Sequence, residues 1–453
     1  MSSPAPSDLA GLTVGIWGFG REGISMARTA AAAGAARIEA VDDMGRRPYE
    51  EPEGIANLEV FRGPEHLARL SACDVVFVSP GVPWRQPVFE ELRRSGSRIS
   101  SAADWFMSRY GAATIGVTGT KGKSTTASFL GHLLQRIGVD AVVAGNIGTP
   151  LSDLAPGDGA VVVAELSSQQ SALLTTSPAV AVITNLYEDH LDWHGDRDSY
   201  YLAKANVFRN GARALVTTPE VVAILERLGI SPLEPDVRLV DPVLARRAAL
   251  GEPGDGARSR RPVMTYEHNA VNAALAVAAA EEVIGRPVTP DEFDAAVRTY
   301  EGLPHRLQTV RTTGRIRWID DTLATTGESV TAALRAMGPD EHVALIVGGM
   351  DRQLNYDQLD RYLCGGERRV SLIQAPTNGI DIGRGFARDH PARTHLVHSL
   401  EEAVRTAAAL PDVDVVLLSP GAASYDLFTN YVAKASAYCE FIDGLAGAVS
   451  ASH

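Results

Sequence analysis

Cysteine is scarce in this sequence, which contains three in 453 residues. Cys73, Cys364 and Cys439 lie far apart and form no CxxC pair, so the sequence predicts neither a disulfide framework nor a zinc site. Long hydrophobic runs are also absent, because no apolar stretch approaches the roughly 18 residues that a membrane-spanning helix requires. The start, MSSPAPSDLA, has neither the basic flank nor the apolar centre of a signal peptide. We therefore expect a cytoplasmic protein without membrane insertion.

Positive charge is in deficit as well. The 42 lysine and arginine residues are outnumbered by 55 acidic residues, which gives a net charge of −13. Nucleic-acid backbones are bound by clustered basic residues, so this balance argues against a nucleic-acid partner. An acidic chain must bind anionic ligands through local groups. The composition, with 45% hydrophobic and 21% charged residues, is otherwise typical of a globular protein.

What the sequence does contain is three series of short apolar runs that alternate with helical stretches. Length alone suggests about three domains. The series begin at LTVGIWG, at ATIGVTG and after EGLPHR, and alternation of this kind predicts parallel sheets covered by helices. A stretch rich in Pro, Gly and Arg at 251–262 is predicted to be a loop within the second series. We predict an α/β fold with three domains, at residues 1–110, 111–303 and 304–453.

The segment GVTGTKGKSTTASFL matches a phosphate-binding loop. It follows a predicted strand and opens a predicted helix, and Gly119, Gly122 and Lys123 take the required places. Backbone N–H groups and the helix N-terminus would surround phosphate oxygens, Lys123 would add a full charge, and the hydroxyl of Ser124 or Thr125 would reach Mg2+. Such loops serve motors, switches, kinases and ligases. The motif therefore predicts a nucleotide and leaves the reaction open.

A second glycine-rich turn lies near the start of the chain. Gly18, Gly20 and Gly23 form GxGxxG after a predicted strand, and Asp42 follows at the end of the next strand. By itself this pattern predicts a dinucleotide site and a dehydrogenase. The same turn would hold any diphosphate, and a redox enzyme would leave the ATP loop of the next domain without a purpose. We therefore prefer a nucleotide-sugar diphosphate as its ligand.

Charged side chains follow two further predicted strands. Glu165 in VVVAELSSQQ ends a buried strand, where a carboxylate could hold Mg2+, although a helix start at the same point also selects polar residues. His190 lies close to Asp189 and Asp192, a grouping that suits a second divalent ion, acid–base chemistry or a structural role. Lys204 falls on a predicted helix, where spacing by itself indicates no more than a solvated lysine.

Three late segments carry polar residues after a boundary or a strand. They are His305 with Arg306, residues 320–326 and residues 419–428. These residues could bind substrate, but turns select the same residue types. Spacing alone leaves both interpretations open.

The order of the motifs resembles that of the Mur ligase family, of its MurD type: TGTKGKST, GNIG, ELSS, TNLYEDHLD, the helix of Lys204, HNAVNAA, GLPHR and DDTLATT. The resemblance extends from about residue 11 to about residue 441. It implies an ATP-dependent ligase that adds glutamate to UDP-N-acetylmuramoyl-L-alanine in peptidoglycan synthesis. It also implies a Rossmann-like N-terminal domain for the UDP-sugar, a central P-loop ATPase domain with a mostly parallel sheet, and a Rossmann-like C-terminal domain that brings glutamate and closes over the site.

The resemblance also assigns roles to individual residues. The catalytic residues it implies are Lys123, His190 and Lys204. Those implied at ATP are Gly119, Thr120, Lys121, Gly122, Lys123, Ser124, Thr125, Asn272, Arg306 and Asp321. Those implied at the UDP-sugar are Gly18, Gly20, Arg21, Gly23, Asp42, Ser79, Gly81, Asn146, Ser167 and Gln170. Those implied at glutamate are Thr325, Arg352, Ser424 and Tyr431, and those implied at two Mg2+ ions are Ser124 with Glu165, and His190 with a carbamylated Lys204.

The mechanism implied by the resemblance begins with phosphorylation of the L-alanyl carboxylate by ATP. The amine of glutamate then attacks the acyl phosphate, and phosphate leaves from a tetrahedral intermediate. Several anionic groups must approach one another in these steps, so two Mg2+ ions and a phosphate-loop lysine are physically sensible. Carbamylation of Lys204 would turn a cation into an anion able to bind the second ion.

Two positions of the implied amino-acid pocket depart from the family pattern. Leu323 stands in TLATT where a lysine is usual, and Arg352 stands in GGMDRQ where a lysine is usual. Leucine carries no charge, and the planar guanidinium group of arginine differs from the compact ammonium group of lysine. The distribution of positive charge in the pocket must therefore differ from the family pattern. Tyr431 replaces a common phenylalanine, while Thr325 and Ser424 keep the usual hydroxyls.

The loop WGFGREG is similar to that of a branch of the family that adds L-glutamate, whose product is epimerised by a separate enzyme. Together with the altered pocket, it favours L-glutamate, with D-glutamate as the alternative. Asp42, Asp43 and Met44 replace a pattern containing Thr and Arg, which leaves the uracil contacts open.

Other functions remain open at this point. The chain could attach an amino acid to another carboxylate, whereas a folylpolyglutamate synthetase is disfavoured because that family lacks a comparable domain in front of its phosphate loop. A P-loop NTPase acting as a switch or motor would form no covalent product. A redox enzyme would bind nicotinamide at the GxGxxG turn. We expect small-molecule substrates and a monomer.

Overall fold

The computed structural model describes residues 8–43, 52, 54–83, 86–230, 236–243, 245, 264, 267–366, 368–424 and 426–450. The chain divides into two compact units, Met1–Tyr300 and Glu301–His453. The loop predicted at 251–262 and residue Met44 lie outside the described residues. None of the described helices combines the length and the apolar composition that crossing a membrane would need.

The first sheet lies in the first unit and consists of five parallel strands in the order β3-β2-β1-β4-β5. Its strands are β1 Thr13–Trp17, β2 Arg37–Asp42, β3 Leu58–Arg62, β4 Val75–Val78 and β5 Arg98–Ser100. The α-helices of this part are α1 Arg21–Ala32, α2 Val88–Ser95 and α3 Ala102–Tyr110, and a 3-10 helix covers Pro64–Ala72. The order, with β1 central, places the glycine-rich turn after β1 at the point where successive crossovers leave in opposite directions.

The second sheet belongs to the same unit and is parallel in all its pairings, in the order β11-β10-β9-β6-β8-β7. Its strands are β6 Thr114–Thr118, β7 Ala141–Gly145, β8 Val161–Glu165, β9 Val180–Ile183, β10 Ala214–Thr217 and β11 Asp236–Leu239. The helices are α4 Lys123–Arg136, α5 Ser168–Ala172, α6 Leu191–His194, α7 Arg197–Arg209, α8 Pro219–Arg227, α9 Glu267–Ile284 and α10 Pro290–Thr299. Short 3-10 turns cover Gly111–Ala113 and Leu151–Asp153.

Both faces of the second sheet are covered, which explains its almost continuous apolar strands. Helices α4, α9 and α10 pack on one face, and α3, α7 and α8 pack on the other. Helix α3 ends the segment of the first sheet, yet its Phe106 and Met107 are buried in the core of the second. This shared helix accounts for the two sheets forming one compact unit.

The third sheet forms the second unit, in the order β12-β13-β17-β14-β15-β16, with β12 antiparallel and the other strands parallel. Its strands are β12 Gln308–Thr313, β13 Ile316–Asp320, β14 Val343–Val347, β15 Val370–Gln374, β16 Thr394–Leu396 and β17 Val415–Leu418. The α-helices are α11 Gly327–Ala336, α12 Asp357–Cys364, α13 Arg384–Asp389, α14 Leu400–Ala409 and α15 Tyr431–Ser450, with 3-10 turns at Gly379–Asp381 and Pro391–Arg393.

The predicted fold class is confirmed, because three mostly parallel sheets are each flanked by helices. The boundaries at 110 and 303 stay predictions, since the compact units separate only after Tyr300. In a parallel sheet the carboxyl ends of the strands share one edge, and ligand-binding loops gather there. The candidate residues at strand ends therefore lie along these edges.

Candidate active site

The phosphate loop joins β6 to α4 and depends on two glycines. Gly119 has φ 141° and Gly122 has φ 84°, both in the region that favours glycine. A Cβ atom on Gly119 would lie 1.9 Å from Oγ1 of Thr184, and one on Gly122 would lie 2.4 Å from Oδ1 of Asn272. Only glycine fits at these two places. The 14-residue helix α4 begins immediately afterwards, so its N-terminal N–H groups face the loop.

The side chains of the loop differ in their contacts. Lys123 is half-buried, and its ammonium donates to the carbonyl of Thr120 at 3.0 Å. Ser124 and Thr125 are half-buried at the start of α4. Lys121 is exposed, and its backbone N–H donates to Asn185 at 2.9 Å. The loop is thus held through its backbone, which leaves the Lys123 ammonium at the helix N-terminus where a phosphate would be bound.

Glu165 is the last residue of β8, the neighbour of β6, and its side chain is buried. Asn146 donates from Nδ2 to one carboxylate oxygen of Glu165 at 3.1 Å. The other oxygen, Oε2, is buried without a hydrogen-bond partner among the described residues. A buried carboxylate oxygen of this kind is costly unless a cation or donor meets it. The position therefore fits a bound cation better than it fits a helix start alone.

Lys204 lies on α7 and is 1% exposed, so it is not the solvated lysine that spacing suggests. Its ammonium donates to the carbonyl of Gly119 at 2.7 Å and lies 4.8 Å from the centre of the Tyr200 ring. Burial holds the pKa of Lys204 well below its ordinary value, and the charge of Lys123 lowers it further. This lysine thus reaches the phosphate loop from beneath, in an environment that favours the neutral amine.

Two histidines follow β9 and behave differently. His190 adopts a left-handed conformation with φ 49° at the start of α6, and its side chain is half exposed. Its ring Nε2 lies 3.8 Å from Asp189. His194 is buried and hydrogen-bonded to Ser168 at 3.0 Å, and burial lowers its pKa to about 4. His190 is therefore available to a ligand, whereas His194 is a neutral core histidine.

A cavity of about 390 Å³ connects these groups. It includes Thr120 and Lys123 of the phosphate loop, two of the four metal-site candidates, His190 and Lys204, and Gly81 from the loop after β4 of the first sheet. Its lining residues are Pro80, Gly81, Thr120, Lys123, Asn146, Ser167, Ser168, Gln169, Asp189, His190, Tyr200 and Lys204. The cavity thus brings together two of the predicted ATP residues, Thr120 and Lys123, and three of the predicted UDP-sugar residues, Gly81, Asn146 and Ser167.

The GxGxxG turn follows β1 as predicted. Gly18 has φ 88°, and a Cβ atom on Gly23 would lie 2.3 Å from the carbonyl oxygen of Gly18. Ser79, after β4, donates to the same carbonyl at 2.6 Å. Gly20 precedes the first residue of α1, and Asp42 ends β2 with its side chain buried. These residues form one turn at the carboxyl edge of the first sheet.

Arg21 and Glu22, at the start of α1, reach the second sheet. The Arg21 guanidinium donates to the carbonyls of Gly145, Asn146 and Gly148, each at 3.3 Å. Glu22 accepts a hydrogen bond from Nε2 of Gln170 at 2.7 Å. Sequence reasoning missed Glu22, because nothing local indicates a partner 148 residues away.

Ser167 and Gln170 cap α5. The Ser167 hydroxyl accepts a hydrogen bond from the N–H of Gln170 at 3.1 Å, and Oε1 of Gln170 accepts one from the N–H of Ser167 at 2.8 Å. The helix-capping interpretation of this segment is thus correct. Ser167 also lines the cavity, and its role at the UDP-sugar stays a prediction.

Asn272 lies on α9 with its side chain buried against Gly122, and it donates to Asn269 at 3.2 Å. Among the described parts of the chain, no group of three or more His, Cys, Asp or Glu side chains is arranged to hold a metal ion. The predicted magnesium sites instead draw on a serine, single carboxylates and Lys204.

In the second unit, Asp321 follows β13 and is buried. It accepts hydrogen bonds from the Ser419 hydroxyl at 2.7 Å and from the N–H of Leu307 at 3.2 Å. Burial raises the pKa of Asp321 to about 7, and the nearby charge of Arg306, which is exposed, lowers it in part. The neighbouring carboxylate, Asp320, binds the ring of His305 at 2.7 Å.

The predicted glutamate residues lie in three loops of the third sheet. The loop carrying Arg352 is joined to that carrying Ser424 by a hydrogen bond from the N–H of Met350 to the carbonyl of Ala423, at 2.8 Å. Arg352 is exposed, whereas the Ser424 hydroxyl is buried without a partner among the described residues. Thr325 is half-buried, and the Tyr431 ring lies 5.4 Å from that of His305.

Two parts of the chain match models of known families. Residues 117–219 match the Mur ligase middle domain, and residues 305–421 match the model described as Mur ligase, glutamate ligase domain. Both matches include segments whose motifs are described above, the first from the phosphate loop to β10 and the second from His305 to the loop after β17.

Relatives align over almost the whole chain. The UDP-N-acetylmuramoyl-L-alanine–L-glutamate ligase of a Micromonospora species is 39% identical, covering 97% of this chain and 98% of the relative. The enzyme of the same name from Salinispora tropica is 37% identical, covering 97% and 99%. The UDP-N-acetylmuramoylalanine–D-glutamate ligase of Roseobacter denitrificans is 30% identical, covering 93% and 96%.

Solved structures agree in fold. UDP-N-acetylmuramate-alanine ligase MurC from Thermotoga maritima superposes with a TM-score of 0.58 at 19% identity, covering 96% of this chain and 99% of that one. MurF ligase from the same organism, in complex with ADP, gives 0.55 at 15% identity, covering 95% and 94%. At such identities the likeness concerns the fold alone. With the near-complete alignment to sequence relatives, the conclusion is that this chain belongs to the Mur ligase family.

Proposed function

We propose that this chain is an ATP-dependent ligase that joins glutamate to UDP-N-acetylmuramoyl-L-alanine in peptidoglycan synthesis, with release of ADP and phosphate. The observation that carries the proposal is the 390 Å³ cavity, in which Lys123 of the phosphate loop, the buried Lys204 and Gly81 of the first sheet meet. The proposed ATP site lies next to the first sheet, which carries the GxGxxG turn. This arrangement suits a reaction between ATP and a nucleotide-linked acceptor. The names of the nearly full-length relatives support the same activity.

The first chemical step is transfer of the γ-phosphoryl group of ATP to the L-alanyl carboxylate. A carboxylate oxygen forms the new P–O bond while the bond to the β-phosphate oxygen breaks, which leaves ADP. Two anions must approach for this to happen, and Lys123 with the N-terminus of α4 offsets their repulsion. The loop is held by its own backbone contacts, so these positive groups are in place before the substrates bind.

Two Mg2+ ions belong to the proposal, and the residues present fit them. Glu165 with Ser124 would hold one ion, because the buried Oε2 of Glu165 lacks a partner among the described residues. His190 with a carbamylated Lys204 would hold the other. Bound Mg2+ would neutralise charge on the phosphates and polarise the transferred group.

Carbamylation of Lys204 has a physical basis in its surroundings. The neutral amine attacks CO2, forms an N–C bond and loses one proton, which leaves a carbamate anion. Lys204 is 1% exposed and has a carbonyl oxygen as its closest polar contact, so its ammonium form is poorly stabilised. An anion at this place would suit a metal ion and would remove a cation from the side of Lys123.

The second step is attack of the glutamate amine on the acyl phosphate carbonyl. A C–N bond forms, the tetrahedral intermediate loses phosphate through cleavage of its C–O bond, and the amine nitrogen loses a proton. Thr325, Arg352, Ser424 and Tyr431 are the residues that we assign to glutamate. Ser424 supports this assignment, because its buried hydroxyl has no hydrogen-bond partner within the described chain.

L-Glutamate is the isomer that we propose. The two relatives named for L-glutamate are 39% and 37% identical to this chain, whereas the Roseobacter relative named for D-glutamate is 30% identical. Leu323 and Arg352 also change the charges of the pocket relative to the pattern described above. We further propose that the enzyme is monomeric and cytoplasmic.

The test is product formation by the purified chain with UDP-N-acetylmuramoyl-L-alanine, ATP and Mg2+, in parallel reactions with L-glutamate and with D-glutamate. We expect one equivalent of phosphate for each amide product, detected by mass, with L-glutamate only. A product with D-glutamate only would retain the ligase and reject the isomer. ATP hydrolysis without product from either isomer would reject the ligase and favour a nucleotide-driven switch.

A further inference from the structure

The first helix of the chain, α1, has a polar face as well as an apolar one. Its apolar side chains pack in the core of the first sheet. Arg21, Ser25 and Thr29 recur at every fourth position and therefore lie on one face of the helix. All three are hydrogen-bonded to the segment that follows β7 of the second sheet. The polar face of α1 is thus a contact between the two sheets of this unit.

This contact fixes α1 at several points. The hydroxyl of Ser25, a residue that is 1% exposed, lies 2.5 Å from the hydroxyl of Ser152. Thr29 donates to the carbonyl of Ser152 at 2.7 Å. At the start of the helix, Glu22 accepts from Gln170 at 2.7 Å. Helix α1 is therefore fixed against two segments of the second sheet, one after β7 and one after β8.

Arg21 is exposed at the first position of α1, and its guanidinium reaches three carbonyls of the loop after β7. Nη2 donates to the carbonyls of Gly145 and Asn146, and Nη1 donates to that of Gly148. A guanidinium carries five N–H donors in a rigid fork, so one side chain can bond three carbonyls at once. Arg21 therefore holds the whole turn of this loop.

The loop that Arg21 holds is in close contact with Glu165. A Cβ atom on Gly145 would lie 2.3 Å from the carbonyl oxygen of Glu165, so the two backbones touch. The N–H of Asn146 donates to the same carbonyl at 2.9 Å, and Nδ2 of Asn146 donates to the Glu165 carboxylate at 3.1 Å. A displacement of the loop would therefore displace the Glu165 carboxylate.

Glu165 is the carboxylate that we assign to one Mg2+ ion, and Asn146 lines the cavity together with Lys123. Groups that are hydrogen-bonded to a metal-binding carboxylate orient it and tune its affinity for the ion. Asn146 is such a group. Arg21 stands one hydrogen bond further from the carboxylate, because it fixes the backbone of Asn146.

We propose that Arg21 is a positioning residue for phosphoryl transfer, which acts through Asn146 to fix the carboxylate of Glu165. The inference rests on the proposed function, because it concerns the metal and ATP site of that reaction. It replaces the direct contact with the UDP-sugar that the resemblance implies for Arg21, since N–H groups of this guanidinium are directed at carbonyls of the second sheet.

The test begins with Arg21→Met, which removes the guanidinium and leaves a good helix former at an exposed position. We expect the apparent affinity for Mg2+ in the ligase reaction to fall about 10-fold, the lower end of the range for groups that orient a metal ligand. The affinity for UDP, measured by calorimetry without ATP or Mg2+, should stay within about twofold, because Arg21 is not expected to touch the acceptor.

Asn146→Ala tests the route by which Arg21 acts. Adding Arg21→Met to Asn146→Ala should change the apparent Mg2+ affinity by less than about twofold, because the side chain that transmits the effect is already absent. Effects that multiply in the double variant would overturn the proposal. An apparent Mg2+ affinity of Arg21→Met within about threefold of wild type would also overturn it. So would a loss of UDP affinity of about 10-fold or more in Arg21→Met, which would indicate direct contact with the acceptor.

Arg28→Met is the matched control. Arg28 lies about two turns further along α1, is exposed, and makes no hydrogen bond or ion pair within the described part of the chain, so both affinities should stay unchanged. If Arg21→Met melts earlier than this control, Arg21→Gln, which is too short to bridge three carbonyls, is measured in its place with the same outcomes. Failure of the proposed function is recognised separately, because the wild-type enzyme would then form no product with either isomer before any variant is made.

Discussion

The two glycine-rich turns of the first unit are alike in local structure and unlike in surroundings. Each follows a central parallel strand, contains glycine at positive φ and opens a helix. The turn after β1 is surrounded by side chains that bind the protein itself, since Arg21 and Glu22 tie α1 to loops of the second sheet. The turn after β6 is contacted by two lysine side chains, since Lys123 donates to the carbonyl of Thr120 and Lys204 donates to that of Gly119.

A glycine-rich turn lets a ligand or another segment approach its backbone closely. The side chains around the turn determine which of the two it binds. The helix after the first turn connects the two sheets of the unit, because Arg21 and Glu22 contact Asn146 and Gln170. The second turn has two lysine ammonium groups bound to its backbone carbonyls, and we propose it as the phosphate site.

Lys123→Ala should reduce kcat/KM by at least about 10³-fold, the scale on which cations at a transferred phosphoryl group contribute. The fold should persist, because the loop is held through its backbone. Steady-state phosphate release and thermal melting measure the two effects. Lys121→Ala, in the same loop with an exposed side chain, should lose much less activity. Retention of a tenth or more of the activity in the Lys123 variant would remove the phosphate-loop assignment.

Gly119→Ala and Gly23→Ala should separate the two turns. The first places a Cβ 1.9 Å from Thr184 and the second places one 2.3 Å from a backbone oxygen, so we expect each to cost about 2–4 kcal/mol through overpacking. Only Gly119→Ala should also abolish protection of the protein by ATP against thermal unfolding. Gly157→Ala, where a Cβ meets nothing within 4 Å, is the control. Equal loss of ATP protection in both variants would erase the distinction between the turns.

His194→Gln should flatten the acid side of the stability profile. The folded-state pKa is about 4 and the ordinary value is 6.5, so between these pH values the unfolded chain binds more protons. Stability is thus present above about pH 6.5 and is lost as the pH falls to about 4, by about 2–3 kcal/mol. Thermal melting of wild type and variant between pH 4 and 7 measures this. Parallel curves of stability against pH for the two proteins would show that His194 does not contribute to the loss of stability in acid.

Glu22→Gln should also change the pH dependence of stability, in the opposite direction from His194→Gln and by a smaller amount. Burial raises the pKa of Glu22, so the folded state keeps a proton that the unfolded chain has already lost. Wild type therefore loses stability as the pH rises from about 4.5 through the folded-state pKa, and the variant should not. Its amide oxygen still accepts the bond from Gln170. A melting curve that depends on pH equally in both proteins would contradict the buried position of this carboxyl group.

Sequence patterns predicted the elements of the site better than their environments. The phosphate loop, the GxGxxG turn, and Glu165 and Asp42 at strand ends all lie where the motifs place them. Spacing suggested a solvated lysine at 204, and the side chain is instead buried beneath the phosphate loop. The assigned ligand roles of these residues stay predictions until the experiments above are made.

Contacts between distant segments escaped sequence reasoning. Nothing near Glu22 in the sequence points to Gln170, and nothing near Lys434 points to Gly348, 86 residues earlier. The domain boundaries show the same limit, since α3 closes the first series of elements and yet packs in the core of the second sheet. Such pairings depend on how sheets and helices pack, and no local pattern records them.

The sequence by itself determined the α/β class, the two glycine-rich turns and the family to which the chain belongs. These features are local, because a positive φ, a strand or a helix start depends on a few neighbouring residues and on their order. Only the tertiary structure decided which lysines are buried, which carboxylate oxygen lacks a partner and which helix braces which loop. Burial and hydrogen bonding set the charge state and the availability of each group, and both arise when segments far apart in the chain exclude water from one another.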